Sequence, residues 1–344
     1  MDHSSAAELE SAALTEAAAV HLPRPSFVVD TELDAEICQH AKSNHEPWLA
    51  DDYFHPHTFG SWCRRREVYR LLHRKLKIQQ ANPKPQTASK LIFEAGHAAH
   101  NRFRDYLLPK KMVGYWMCQN CGMRYGHRTS ADGSIIHEKF MYRPDACTRC
   151  GLVAGTHADL TLHYVEIPLR DETLMIDGTT DGLMFHRQRL RVVELKSEDS
   201  AMHVDRAGLT LGHGMQGACY AHCFNKNYAA EIKQLNNGFL INTAAIIYLN
   251  KNSYRAKCYI AGTVPLIKWI EKEISIVNQI VEELAPKITS AADIEKLELD
   301  AHFNKADRCE RVCRDRDITM AKRCASREAC FASTFVRKRK KENA

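Results

Sequence analysis

Apolar positions along the 344-residue chain switch between a helical and a strand rhythm, and those switches mark out its elements. In residues 265–285, PLIKWIEKEISIVNQIVEELA, the positions Ile267, Ile270, Ile274, Val277, Val281 and Leu284 fall on one stripe, which predicts an amphipathic helix with a core-facing side. Ser89–Leu108 predicts a second helix with Ser89 as its N-cap, and His213–Tyr220 falls in a third. Leu160–Leu169, Phe239–Leu249 and Arg255–Ala261 predict strands. Leu183–Phe185 and Leu190–Leu195, joined by the polar connector His186–Arg189, predict a β-hairpin. Ahead of these, residues 1–20 are rich in alanine and glutamate and favour helix until His21-Leu22-Pro23-Arg24-Pro25 breaks it. Asp30–His45 carries a short helical pattern, and the folded core begins at Phe59. Strands interleaved with helices predict an α/β fold.

The hairpin carries the chemistry. Asp181 starts its first strand and Glu194 lies near the end of the second. Because side chains alternate along a strand, Glu194 and Lys196 share one face while Val193 and Leu195 point to the other. Two carboxylates on neighbouring strands give the oxygen-rich surroundings that Mg²⁺ or Mn²⁺ prefers, and a lysine beside them can orient or deprotonate a water. A D…ExK pattern by itself also fits an ordinary surface ion pair. Two further pairings narrow the choice: Gln216 and Tyr220, four apart on one helix, and Gly96 and His100 on another.

The order Gly96-x-x-x-His100, Gly178-x-x-Asp181, Glu194-x-Lys196, Gln216-x-x-x-Tyr220 resembles the RecB-like branch of the PD-(D/E)XK nuclease superfamily, which includes CRISPR-associated RecB-like exonucleases and phage relatives. The resemblance implies His100, Asp181 and Glu194 as ligands of Mg²⁺ or Mn²⁺ and Lys196 as the catalytic lysine, with Gln216 and Tyr220 supporting the site and the DNA strand. Thr180 precedes Asp181 where the superfamily's name has a proline.

Charge changes this picture little. The net charge of +6 comes from 48 basic and 42 acidic residues, so the sum does not single out nucleic acid. Local runs matter more: Arg64-Arg65-Arg66 could meet phosphates or form a solvated helix face, and the run Arg337–Lys341 could add non-specific phosphate attraction or be a disordered, solvated tail. Ser197–Gly214 reads as a loop or short helix bordering the DNA entrance. There is no apolar run of about twenty residues and no basic-then-apolar leader, which leads us to expect a cytoplasmic protein, in a bacterial or phage-infected cell, with no membrane partner.

Thirteen cysteines in such a compartment point to metal rather than disulfides. Cys118-x-x-Cys121-Gly122 and Cys147-x-x-Cys150-Gly151 have the spacing of paired zinc knuckles, a closed structural Zn²⁺ site. His127 and His137 lie between them but are not needed to complete a tetrahedron. In the families resembled, one cysteine followed by basic residues and an aromatic precedes the nuclease core, as Cys63-Arg64-Arg65-Arg66 and Tyr69 do here, and three cysteines follow it. The resemblance therefore implies a [4Fe-4S] cluster on Cys63, Cys324, Cys330 and either Cys313 or Cys309, with Cys313 preferred as nearer the pair. A second zinc site on Cys309, Cys313, Cys324 and Cys330 is the alternative, and it leaves Cys63 idle. Cys38, Cys219, Cys223 and Cys258 have no partner by spacing.

The expected organisation is an N-terminal helical arm (1–58), a first part of the nuclease core (59–111), a zinc-binding insertion (112–156), the rest of the core (157–300), and an iron–sulfur cysteine region with a basic tail (301–344). The expected fold is a restriction-endonuclease-like α/β core, a central mixed sheet flanked by helices. The expected function is a Mg²⁺- or Mn²⁺-dependent DNA exonuclease acting on single-stranded or duplex ends in replication, recombination or end processing, with partner proteins of those processes as further candidates. The rivals are the same chemistry trimming DNA for CRISPR spacer acquisition and a non-catalytic DNA-binding module. The cluster has a visible signature: anaerobically purified protein should be brown and contain iron, and Cys324→Ala or Cys330→Ala should bleach it and lower its thermal midpoint. Colourless, iron-free protein from both aerobic and anaerobic preparation would rule the cluster out.

Overall fold

The structure, a computed structural model, describes residues 52–78, 87–154, 162–198, 208–253 and 255–297. The expected N-terminal arm up to residue 51, the cysteines Cys309, Cys313, Cys324 and Cys330, and the basic tail lie outside the described residues.

Strand β10 (Arg189–Glu198) is the spine of the main sheet, and its Val192–Leu195 run is buried, as in a strand covered on both faces. It pairs antiparallel with β9 (Gly182–His186), from Arg189 opposite His186 to Val193 opposite Gly182, and parallel with β11 (Thr243–Asn250), which sets Glu194 beside Ile246 and Lys196 beside Tyr248. Beyond β11 lies β12 (Ala256–Gly262). Beyond β9 lies β1 (Met112–Cys118), which also pairs with the short β2 (Arg124–Tyr125), β5 (Met141–Tyr142) and β6 (Leu162–Val165). The order β12-β11-β10-β9-β1-β2, with one parallel pair, makes this a mixed sheet. Two small ladders stand apart: β3 (His127–Thr129) with β4 (Ile135–His137), and β7 (Ile167–Asp171) with β8 (Ile176–Thr180).

Helices flank the sheet: α1 (Arg64–Lys75), α2 (Thr87–Arg102), α3 (Leu211–Asn227), α4 (Ala229–Leu235), α5 (Val264–Leu284) and α6 (Ala291–Lys296). A Cβ built on Gly217 of α3 would stand 2.6 Å from the Ala244 Cβ of β11, so this helix rides directly on the strand. Gly96 of α2 faces the Ser197 hydroxyl, 3.1 Å from where its Cβ would be. Ser197 alternates with Lys196, so α2 lies over the opposite side of β10 from α3. On α5 the expected stripe is the buried side, with Ile270, Ile274, Val277, Val281 and Leu284 in the core. Glu273 of the same helix accepts from Trp62 Nε1 at 2.9 Å and from the Arg64 guanidinium at 2.7 Å, which ties the start of α1 to α5.

Four expectations shift, each for a local reason. The hairpin connector is two residues, not four. Arg187 and Gln188 take φ of 49° and 59°, the left-handed pair that a tight I′ turn requires and that matches the twist of the strands. The helix expected over Ser89–Leu108 begins at Thr87 and turns π-helical at Phe103–Leu107, a widened turn that carries Arg104 and Asp105 into the interior. The strand expected over Leu160–Leu169 is two strands in different sheets, parted at Glu166. The stretch assigned to the zinc-binding insertion, 112–156, begins inside the main sheet, because Met112–Cys118 pairs with β9 and β6.

One residue, Asp181, separates β8 in a small ladder from β9 in the main sheet. Gly182 makes that passage at φ +144°, where a Cβ would stand 2.6 Å from both the Tyr164 hydroxyl and the Met112 methyl. Tyr164 is needed where it is, since its hydroxyl donates to Val113 O at 2.8 Å and accepts from Leu183 N at 3.2 Å. Gly182→Ala should therefore cost about 2–4 kcal/mol, from backbone strain plus overpacking. Gly133→Ala, at φ +86° in open space, should cost about 1 kcal/mol. Urea midpoints would check the pair, and equal losses would refute the packing argument.

Candidate active site and metal centre

Asp181 sits where strand pairing runs out. The β9–β10 ladder ends at Gly182 opposite Val193, leaving the amide of Leu195 without a backbone acceptor on that edge, and Asp181 Oδ2 accepts it at 2.7 Å. The other oxygen, Oδ1, stands 3.1 Å from His100 Nδ1 and 3.6 Å from the Arg104 guanidinium. Burial pushes the Asp181 carboxyl up, but the His100 hydrogen bond, the Leu195 amide and Arg104 together outweigh it and hold the group below the usual range. Asp181 is thus a buried anion.

Glu194 is also buried, one strand over. Burial first, and then the negative charge of Asp181, push its carboxyl up to about 8, against the pull of Lys196. Lys196 Nζ lies 2.6 Å from Glu194 Oε1 and donates to Gln216 Oε1 at 2.9 Å, and Gln216 Nε2 donates to the Tyr220 hydroxyl at 3.2 Å. Glu194, Lys196, Gln216 and Tyr220 form one connected row between β10 and α3, as strand and helix parity predict. Burial holds the Tyr220 phenol well above its ordinary value, so it serves as a neutral hydrogen-bonding group.

His100 joins from elsewhere. The expectation that His100, Asp181 and Glu194 converge on one side of the sheet is met only pairwise: His100 reaches Asp181 from α2, on the far side of β10, while Glu194 turns to Lys196. Among the described residues, the four cysteines alone bring three or more such ligand atoms all within 4.8 Å of one another. The acids nonetheless suit a cation chemically. Two buried carboxylates that cannot both ionise cheaply, beside a histidine whose nitrogen already faces one of them, are the donor types that Mg²⁺ or Mn²⁺ accepts.

Two side chains here escaped the sequence reading. Arg104 is almost fully buried, donating to Glu166 Oε1 at 2.8 Å and Asn101 Oδ1 at 2.6 Å, with its guanidinium 6.0 Å from the centre of the Tyr164 ring. Glu166 stands at the kink between β6 and β7, and its charge adds to the forces raising Glu194. The four-residue spacing of His100 and Arg104 was a signal in the sequence. The π-helical turn that drives Arg104 inward was not.

The second centre is built by two matching turns. Cys118 N donates to Met123 O and Gly122 N to Cys118 O, both at 2.8 Å; Cys147 N donates to Leu152 O at 2.7 Å and Gly151 N to Cys147 O at 2.9 Å. Gly122 and Gly151 take φ of 70° and 73°, the left-handed conformation that closes each loop beneath its thiols. The four sulfurs converge: Cys118 to Cys150 is 3.7 Å and Cys121 to Cys147 is 3.5 Å, with all within 4.8 Å of one another, so this set can hold a metal ion. Burial pushes Cys147 up, yet the Tyr125 hydroxyl and the amides of Cys150 and Arg149 draw it down to about 6, whereas Cys121, despite the lowering effect of the Met123 amide, is pushed up to about 12 by burial and its neighbouring thiols. Neither His127 nor His137 joins the set. His137 Nε2 pairs with Glu231 at 2.8 Å and its Nδ1 lies 2.7 Å from the Tyr115 hydroxyl.

Cys63, the expected first ligand of a cluster, is the half-buried N-cap residue of α1. Cys219 and Cys223 are buried on α3, and Cys258 is exposed on β12. Among the described residues no helix is long and apolar enough to cross a membrane.

Purified protein should carry a tightly bound metal ion that Cys147→Ser or Cys121→Ser releases, and the release should lower the thermal midpoint by several degrees, because the two turns then lose the ion that binds them together. Elemental analysis of wild type and variants checks this. Full metal content in both variants would reject the site.

No known protein family model matches the chain, and no curated protein matches it. Among solved structures, the crystal structure of SSO0001 aligns at 12% sequence identity over 71% of this chain and 86% of that one, with a TM-score of 0.29, a likeness too slight to carry an argument.

Proposed function

We propose that the chain is a Mg²⁺- or Mn²⁺-dependent DNA nuclease of the PD-(D/E)XK type that acts at strand ends. The observation that supports this best is the row of side chains at the end of the β9–β10 ladder: two buried carboxylates, Asp181 and Glu194, with Lys196 held at 2.6 Å from Glu194 and 2.9 Å from Gln216. A structural ion pair would need one acid. Here a second buried acid raises the cost of the first, an arrangement that is expensive unless a cation or a proton is shared between them.

On this reading Asp181, Glu194 and His100 would hold a divalent ion, and the chemistry it would supply is polarisation of the scissile phosphodiester and stabilisation of the leaving oxygen. Lys196 is directed by Glu194 and Gln216, so its ammonium stays at one place instead of sampling solvent, ready to orient the attacking water by hydrogen bonding and to steady the developing negative charge. Gln216 passes that constraint on to Tyr220. Arg104, 3.6 Å away, adds to His100 and the Leu195 amide in keeping Asp181 ionised.

The finer reading of the cysteine set is zinc. Four sulfurs about 2.3 Å from one tetrahedral ion stand about 3.8 Å apart, close to the 3.5 and 3.7 Å found here. A four-iron cluster distributes its thiolates over four separate irons and needs a wider set. The [4Fe-4S] cluster belongs, on this proposal, to Cys63, Cys313, Cys324 and Cys330.

End-labelled DNA should be degraded progressively in Mn²⁺, with no loss under chelated control conditions, and a closed circle of the same sequence should survive. Lys196→Ala should slow cleavage about 100-fold or more while leaving the circular dichroism spectrum unchanged. Asp181→Asn and Glu194→Gln should be as inactive and should lose metal as well. Rapid cutting of closed circles would make the protein an endonuclease, and undiminished activity in Lys196→Ala would overturn the site.

A further inference from the structure

The molecule has a second charged recess beside the catalytic row. A cavity of about 290 Å³ lies between α1 and the turn at residues 55–58, lined by Tyr53, His55, His57, Arg66, Glu67 and Arg70. Sequence alone drew attention to the run Arg64-Arg65-Arg66, but a helix turns about 100° per residue and scatters such a run. Arg64 goes to Glu273, Arg65 is buried, and Arg66 alone of the three lines the cavity, joined there by Arg70 one turn later.

The two guanidiniums are fixed. Arg66 Nε and Arg70 Nε each donate to the buried Glu67 carboxylate at 2.8 Å, so one anion holds both guanidiniums at a set spacing. Across the cavity the rings of His55 and His57 stack with centroids 5.8 Å apart. His55 Nδ1 lies 3.0 Å from the carbonyl of Asp177, an acceptor only, so Nδ1 carries the hydrogen and Nε2 is the other polar edge. Although its side chain is exposed at the mouth of the recess, His57 is held below its ordinary value, by the partial desolvation of its surroundings first and then by the positive charges of His55, Lys196 and Arg66. The turn is joined to the active site through packing. A Cβ on Gly178 would stand 2.9 Å from Pro56 Cδ and 3.3 Å from the Tyr220 ring, so the His55-Pro56-His57 turn and Tyr220 meet on either side of that glycine.

We propose that this recess is a subsite for the terminal phosphate monoester of the DNA strand whose neighbouring phosphodiester occupies the catalytic row; the inference rests on the nuclease reading. A monoester near neutral pH carries a charge of about −1.5 to −2 and offers three acceptor oxygens, which suits a fixed pair of guanidiniums facing two imidazoles. A recess of this volume accommodates an end group and not a strand passing through. It would give the enzyme a physical reason to start from ends.

The test is equilibrium binding of the purified protein, with its cysteine-bound metal retained and no Mg²⁺ or Mn²⁺ added so that nothing is cut, to oligonucleotides identical except for a 5′-phosphate, a 3′-phosphate or hydroxyls at both ends. Wild type should favour one phosphate-ended strand by about tenfold, the size of one good charge-assisted hydrogen bond, and the favoured arm identifies which end is held. Arg70→Ala should bring that strand down to the hydroxyl-ended level and Arg70→Lys should restore part of the preference. Because Arg70 also neutralises a buried acid, His57→Ala, at an exposed residue, provides a second variant with no threat to folding and should weaken the same preference. Equal affinity for all three strands in a wild type that binds DNA and cuts it in Mn²⁺ overturns the subsite and leaves the nuclease reading standing. A preference that survives both Arg70→Ala and His57→Ala also overturns it. A wild type that neither binds nor cuts DNA removes both.

Discussion

Asp181 is where backbone and chemistry meet. The amide of Leu195 is buried and has lost its strand partner, and leaving such a donor unpaired costs about 1–3 kcal/mol. One carboxylate oxygen at 2.7 Å removes that cost, which fixes the side chain and leaves the other oxygen for His100 and Arg104. The same group therefore closes the sheet edge and provides the anion of the site. Gly182 makes this possible, since only a residue without Cβ can pass the Tyr164 hydroxyl on entering β9.

A second constraint works through close approach. Gly217 lets α3 settle onto Ala244, and Gly212 lets the same helix meet Gly60, where an added Cβ would be 2.2 Å from the Gly60 Cα. At that separation Gln216 is long enough to take the Lys196 ammonium with one end and give its amide to Tyr220 with the other. Asp171 secures the far part of α3: its buried carboxylate accepts from His222 Nε2 at 2.7 Å and Lys226 Nζ at 2.5 Å, and from the amides of Thr173 and Leu174. Position along the helix axis is thus set at both ends, and the row Glu194, Lys196, Gln216 and Tyr220 inherits its precision from this packing.

The cysteine centre is less separate from the core than its spacing suggests. Cys118 is the last residue of β1, and the other end of β1, Met112 and Val113, pairs with Met184 and Leu183 of the acidic hairpin. A single strand therefore runs from the thiolate set to the strand next to Glu194. Metal at the cysteines would stiffen the outer part of the sheet, and through β1 that stiffness reaches the hairpin.

Much of this was legible in the residues themselves. Strand parity put Glu194 and Lys196 on one face, helix spacing put Gln216 and Tyr220 together, and the doubled Cys-x-x-Cys-Gly pattern brought four sulfurs to one point; each depends on local periodicity or a local turn, which sequence encodes directly. The amphipathic stripe of α5 was legible for the same reason. What needed the tertiary structure were distances between elements far apart in sequence: that His100 approaches Asp181 from across β10, that Arg104 and Glu166 enter the site through a widened helical turn and a strand kink, and that Arg66 and Arg70, not three adjacent arginines, face a common recess with His55 and His57. Local rules assign a residue to a face of its own element, but which elements bring their faces together depends on packing, and that is a property of the whole chain.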